Sequence, residues 1–299
     1  MTKVGLVKGT DRFRNVLEAL RRAGDEVTER IHGRVLIKVN TVVEDSPEPN
    51  THVDALRAVL EFLRPLAPQR VVVGEASGNV LGGFRAFGFE TLKDDYAVEF
   101  LDFNTAGFEP LELLGVDGSP LPARLTAARR GFDCLISLSV PKAHSDAVVT
   151  LSGKNMMGFV AGEEIWKIHG VKDFANHLEK QAVVIHQNLR RLLARVRPDV
   201  AVLDAFHSFE GGRVPQCGEG TRVEPHLALA GADFVAVDAV AATALGFDPR
   251  DVGYLVYAAL DGYGTADLSQ IEISGTPLST ARFPLRPALT LDRILGWKG

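Results

Sequence analysis

The chain has little cysteine, no long apolar run and no surplus of positive charge, and each shortage removes a class of protein. Of 299 residues two are cysteines, Cys134 in an apolar run and Cys217 in a glycine-rich stretch. Two cannot build a disulfide framework and their separation is not a metal-ligand spacing, so both read as free thiols. No stretch reaches the roughly 18 consecutive apolar residues that a spanning helix needs, so no membrane partner is expected. Lysine and arginine number 33 against 38 aspartate and glutamate, a net charge of -5. Nucleic acid is not expected as a partner, because phosphate neutralisation needs clustered cations; Arg190-Arg191 and Arg195-Val196-Arg197 read as the solvated face of a helix. Met1-Thr2-Lys3-Val4 runs straight into a strand-like segment with no signal-peptide core, so a cytoplasmic location is expected. Also missing are a G-x-G-x-x-G after a strand, the P-loop pattern and H-E-x-x-H, which leaves no NAD, nucleotide or ready-made zinc signature.

What is present is an alternation of strand and helix patterns. Val4–Val7, Val35–Val39, Arg70–Gly74, Val98–Phe103, Cys134–Val140, Val200–Asp204 and Leu227–Ala230 read as strands. Arg12–Ala23, a segment from Thr51, one near Phe84, about 123–130, about 174–196, Val235–Leu245 and Val252–Leu260 read as helices, Thr51 being placed as the N-cap with Asp54 three residues on. The stretch from 103 to Pro122 reads as polar and irregular. The almost wholly apolar Arg70–Gly74 run suits a parallel strand covered on both faces. The expected fold class is α/β: a mostly parallel, doubly wound sheet with helices on both faces, in one domain over 1–299, with a loop-rich excursion after the central strand at about 141–175.

Two strand-end pairs stand out, Lys38-Val39-Asn40 and Lys142-Ala143-His144. At i, i+2 both polar side chains of a pair share one face of a strand, and the rim beyond the carboxyl ends of an open α/β sheet is where ligands bind. Lys38, Asn40 and His52, the last at a helix start, would favour a phosphate or carboxylate. The alternative is a solvated strand end and a turn former. Glu75 follows an apolar strand and is a candidate general base, a metal ligand or a simple cap. Residues 141–158 are dense in donors: Lys142, His144, Lys154 and Asn155 combine cations with a group able to move protons near neutrality. Asp204 and Glu210 are a candidate pair for a divalent cation, and each has a plain capping or surface alternative. Asp238 lies among small apolar residues and therefore needs a partner, while His169 and His186 carry weaker signals.

The order of Ile37-Lys38-Val39-Asn40, Thr51-His52, Val72-Val73-Gly74-Glu75, Pro141-Lys142-Ala143-His144, Ser152-Gly153-Lys154-Asn155-Met156-Met157-Gly158, Asp204 with Glu210-Gly211, and Ala236-Val237-Asp238-Ala239 resembles the domain-of-unknown-function-362 family over nearly the whole chain. The resemblance implies an α/β fold and, for many members, a ferredoxin-like iron–sulfur module. This chain departs there: it has no C-x₂-C-x₂-C run to hold a cluster.

Two functional readings remain open. In the first, an enzyme acts on a small anionic substrate with or without a divalent metal: Lys38, Asn40, His52, Lys142, Lys154 and Asn155 bind charge, His144 and Glu75 move protons, and Asp204 and Glu210 hold the cation. In the second, a non-catalytic module, which could form a homo-oligomer, works beside a separate iron–sulfur or redox protein.

Overall fold

The computed structural model describes residues 1–41, 47–173, 176–212 and 220–298. Cys217, read above as a free thiol, and the first residues of the expected 174–196 helix lie outside them.

The chain opens with β1 (Thr2–Lys8) and α1 (Arg12–Ala23), whose Asp11 cap accepts from Arg14 N and whose Val16, Leu17 and Leu20 stripe is buried. After α2 (Asp25–Arg30) come β2 (Arg34–Lys38), α3 (Val53–Leu63), β3 (Arg70–Glu75), α4 (Val80–Ala86) and β4 (Glu99–Asp102). Then follow β5 (Phe108–Leu114), β6 (Pro120–Thr126), β7 (Cys134–Ser139), β8 (Lys142–His144), β9 (Val148–Thr150), α5 (Ser152–Asn155) and α6 (Leu178–Leu193). The last part holds β10 (Val200–Ala205), β11 (Ser208–Glu210), β12 (Thr221–Val223), β13 (Leu227–Gly231), α7 (Phe234–Ala244), α8 (Gly253–Leu260), β14 (Ile271–Gly275), α9 (Leu278–Ala281) and α10 (Leu291–Ile294).

The large sheet has the order β14-β1-β13-β10-β7-β2-β3-β4. Its neighbours pair in parallel except around β13, which runs against both β1 and β10. Alternation along the strands splits the core in two. Val35, Ile37, Cys134, Ile136 and Leu138 pack with α1, α3 and α4, whereas Leu36, Leu135, Ala201 and Leu203 pack with α6, α7 and α8 on the other face. The chain moves outward from β2 through β3 to β4, then returns to lay β7 on the other side of β2 and continues outward through β10 to β13. The strand order therefore reverses between β2 and β7, which places the ligand crevice of such a sheet at the ends of those two strands. A second sheet, β12-β11-β8-β9, is built from the segments that leave β7 and β10 and covers that crevice.

Three expectations need correction. The segment about 123–130 is not a helix: Ala123 and Leu125 are buried while Arg124 is only partly so, a period of two, and β6 pairs antiparallel with β5 in register Leu111↔Ala123. That hairpin also occupies the stretch read as irregular. Within 141–175 the chain forms β8, β9 and α5 rather than plain loop, because short strands lack the length for a readable period. Thr51 does not cap α3. His52 does, its Nδ1 accepting from Asp54 N at 3.1 Å, while the Thr51 hydroxyl accepts from Asn40 N (2.8 Å) and donates to the Leu138 carbonyl (3.3 Å), tying β2 to β7.

Candidate functional site

At the switch point the two strand-end pairs meet. Lys38 is 1 % exposed and Lys142 4 %. Asn40 joins them: its Oδ1 accepts from Lys142 Nζ at 2.5 Å, and its Nδ2 donates to Asn155 Oδ1 at 3.1 Å, the oxygen that Lys38 Nζ reaches at 3.5 Å. Asn155 Nδ2 donates in turn to the Lys38 carbonyl and to Ser137 Oγ. Lys38, Asn40, Lys142 and Asn155 thus form one hydrogen-bonded layer across the ends of β2 and β7.

Charge is balanced on one side of this layer and not on the other. Lys38 Nζ lies 2.6 Å from Glu75 Oε2 and also donates to the Val39 carbonyl. Glu75 further accepts from Thr41 N and Ala76 N, so its oxygens are committed. It is a counter-ion rather than the free base expected. Burial pushes the Lys38 ammonium below its usual range, against the pull of Glu75. Lys142 has Asn40 and the Val140 carbonyl as acceptors, and Lys154 has the Met157 thioether at 3.1 Å. Among the described residues neither has a carboxylate within ion-pair distance. Burial, and next the charge of Lys154, hold Lys142 well below the ordinary lysine range; burial lowers Lys154 to about 8.

The turn that carries Lys154 is built by a distant helix. Ser152 N and Gly153 N both donate to the Asp238 carboxylate of α7 at 2.9 Å, and the Tyr254 hydroxyl of α8 donates to it at 3.2 Å. This is the partner that Asp238 required. Burial raises Asp238 to about 7 even so. A side chain on Gly153 would meet the Tyr254 ring at 2.7 Å, and one on Gly158 would meet Glu75 Oε1 at 2.2 Å and Lys38 Nζ at 2.5 Å. The segment Ser152–Gly158 therefore reads as two anchoring N–H groups, two functional side chains and two positions where only glycine fits.

His144 leads into a second cluster that sequence reasoning missed. Asp146 lies between two imidazoles: His169 Nδ1 hydrogen-bonds its Oδ2 at 2.5 Å, His144 Nδ1 sits 2.5 Å from its Oδ1 while accepting from the backbone N–H groups of Asp146 (3.3 Å) and Ala147 (3.4 Å), and the two rings stack 6.0 Å apart. Burial and the nearby Lys154 charge lower His144 to about 4, so its resting imidazole is neutral and can accept a proton before it can give one. Val148, across the hairpin from His144, holds φ 67°, a region that β-branched residues rarely adopt. Asp146 was legible as the i+2 neighbour of His144 across a tight turn; His169 lies 23 residues further along and has no local signal.

The metal pair is corrected. Asp204 Oδ2 lies 3.2 Å from Arg12 Nε, and Glu210 accepts from Arg286 N and Nε. Each carboxylate faces a guanidinium, which repels a cation, and among the described residues no three His, Cys, Asp or Glu side chains form a group that could hold a metal ion. His52 stands outside the layer as the α3 cap. Arg12 was missed as well: its Nη2 contacts His207 Nδ1 at 2.8 Å and its guanidinium lies 4.9 Å from the Phe206 ring.

Fold and site together define an α/β protein with a buried, cation-rich polar layer at the switch point of a doubly wound sheet. Residues 35–243 match the family described as Domain of unknown function (DUF362), and the chain belongs to that family. The match runs from β2 through α7 and so contains Lys38, Asn40, Glu75, Lys142, His144, Lys154, Asn155, Asp204 and Asp238. Among curated proteins none matches in sequence. Solved structures with a similar chain path include a protein from Thermotoga maritima (13% identity, TM-score 0.45, covering 68% of this chain and 53% of that one). Another is the lactate racemase apoprotein from Thermoanaerobacterium thermosaccharolyticum (15% identity, TM-score 0.40, covering 75% and 49%). The chain spans about half the length of those two proteins. Among the described residues no helix is long and apolar enough to cross a membrane.

Proposed function

We propose that the protein is an enzyme acting on a small anionic molecule, held at the switch point by Lys142 and Lys154 with His144 as the proton-accepting group. One observation carries this reading: two buried lysines, each 4 % exposed, share a site in which, among the described residues, no carboxylate lies within ion-pair distance of either. Burying an ammonium without a counter-ion costs several kcal/mol, a cost that a purely structural layer would avoid by using apolar residues. A bound carboxylate or phosphate supplies the missing charge. Asn40, itself held by Asn155, accepts from the Lys142 amine, Met157 accepts from Lys154, Lys38 and Glu75 neutralise each other beside them, and the Asp146 carboxylate lies against the His144 ring.

The test is a thermal-shift titration with inorganic phosphate, oxalate and pyruvate on wild-type protein and on Lys142→Met. At least one anion raises the wild-type melting temperature with saturation, and the variant, though folded by circular dichroism, responds at least tenfold more weakly. A wild type indifferent to every anion would contradict the reading.

A further inference from the structure

We infer that Lys154 is an amine nucleophile, and that the molecules the site takes are 2-oxo acids, which it holds as a Schiff base. This rests on the anion-site reading above and narrows it to a chemical class. Three lysines converge here and they are not equivalent. Lys38 is fixed by the Glu75 ion pair and the Val39 carbonyl, and Lys142 by the Asn40 amide oxygen and the Val140 carbonyl. Lys154 is buried with a thioether as its acceptor. A protonated ammonium seeks three oxygen acceptors; a single sulfur is the environment of a neutral amine with its lone pair available. Burial drives Lys154 toward that state, against the pull of the Asp146 charge. With Lys154 lowered to about 8, roughly one molecule in ten carries the free amine at pH 7, against fewer than about one in a thousand for an ordinary lysine.

The neighbours supply what imine formation needs. The 2-oxo acid carboxylate pairs with the Lys142 ammonium, which sets the adjacent carbonyl carbon toward Lys154. The Lys154 nitrogen forms a bond to that carbon as the carbonyl π pair moves to oxygen, and His144 carries the first amine proton to that oxygen, giving a carbinolamine. The His144 imidazole, neutral at rest, then accepts the second amine proton and returns it to the departing hydroxyl. The C–O bond breaks and water leaves with both amine hydrogens, so the product is an imine and one water, with no redox change.

The experiment treats the full-length protein with pyruvate and sodium cyanoborohydride, then locates any reduced adduct by peptide mass mapping. One equivalent of pyruvyl mass on the peptide containing Lys154 is expected, with protection by oxalate and at least a tenfold loss of labelling in Lys154→Arg. Because mapping is done on the wild type, a variant that misfolds does not blunt the test. Oxalate or phosphate binding without any adduct would overturn the nucleophile and leave the anion site standing. Label spread over exposed lysines without saturation would likewise overturn it, and neither binding nor label would remove both readings.

Discussion

Two halves of one polar layer answer burial in opposite ways. On the β2–β3 side, Lys38 and Glu75 form an ion pair at 2.6 Å whose remaining lone pairs go to backbone N–H groups. On the β7–β8 side, Lys142 and Lys154 have amide, carbonyl and thioether acceptors and, among the described residues, no carboxylate at ion-pair distance, the Asp204 and Asp146 charges acting on them from further away. The first half is a closed ion pair. On the function proposed above, the second half is the part kept for an anion that arrives from outside.

That contrast can be broken most forcefully on the balanced side. Glu75→Gln strands the Lys38 ammonium in a 1 % exposed position, and we expect a loss of about 3 to 5 kcal/mol in unfolding free energy by urea titration, the usual result of removing one member of a buried pair. On the unbalanced side the sign reverses. A drop in the Lys154 value from 10.5 to about 8 corresponds to about 3 kcal/mol of strain in the ligand-free protein. Lys154→Met is therefore expected to stabilise the free protein by up to that amount while removing its response to anions.

The same variant carries a pH signature. Between about 8 and 10.5 the unfolded chain binds a proton at Lys154 that the folded chain does not, so unfolding free energy rises with pH across that window. Lys142 and Lys38, also lowered, contribute with the same sign. Lys154→Met should show a shallower rise, measured as urea midpoints at a series of pH values; an unchanged slope would place the titrating group elsewhere.

Asp238 sharpens the comparison from behind. Asp238→Asn leaves one oxygen to serve two N–H groups and turns an amide donor on the other, a mismatch expected to cost about 1 to 3 kcal/mol and to loosen the Ser152–Asn155 turn. The wild-type carboxyl, raised to about 7, holds its proton in the folded state where the unfolded chain has lost it. Its contribution therefore falls as pH climbs from about 4 to 7, and the variant should lack that decline. The smallest effect is expected from His52→Ala, about 1 kcal/mol for a lost helix cap with the anion response intact, read by thermal shift in the presence of phosphate.

Much of the scaffold was readable because parallel strands buried on two faces leave long apolar runs, and Gly24 and the α1 stripe mark a helix without ambiguity. The β5–β6 hairpin was not, since three prolines and alternating polar residues hide a period of two. In the site, Lys38, Asn40, Lys142, Lys154 and Asn155 were visible as polar residues where strand ends ought to be apolar. Their unequal charge balance was not visible. It depends on which carboxylates reach which amines: Glu75 reaches Lys38 across two parallel strands, and Asp204, equally prominent in sequence, turns to Arg12. His169 joins His144 by stacking on its ring and by sharing the Asp146 carboxylate on a turn between them.

The central claim is that Lys142 and Lys154 wait for an anion, and proton-linked calorimetry tests it most directly. Oxalate is titrated into the wild-type protein at about pH 8.5 in two buffers of different ionisation enthalpy. An anion placed against lysines lowered by burial restores their protons, so binding should be accompanied by net proton uptake, and both heat and uptake should vanish in Lys142→Met/Lys154→Met. Binding without proton uptake, or binding that survives the double substitution, would contradict the account.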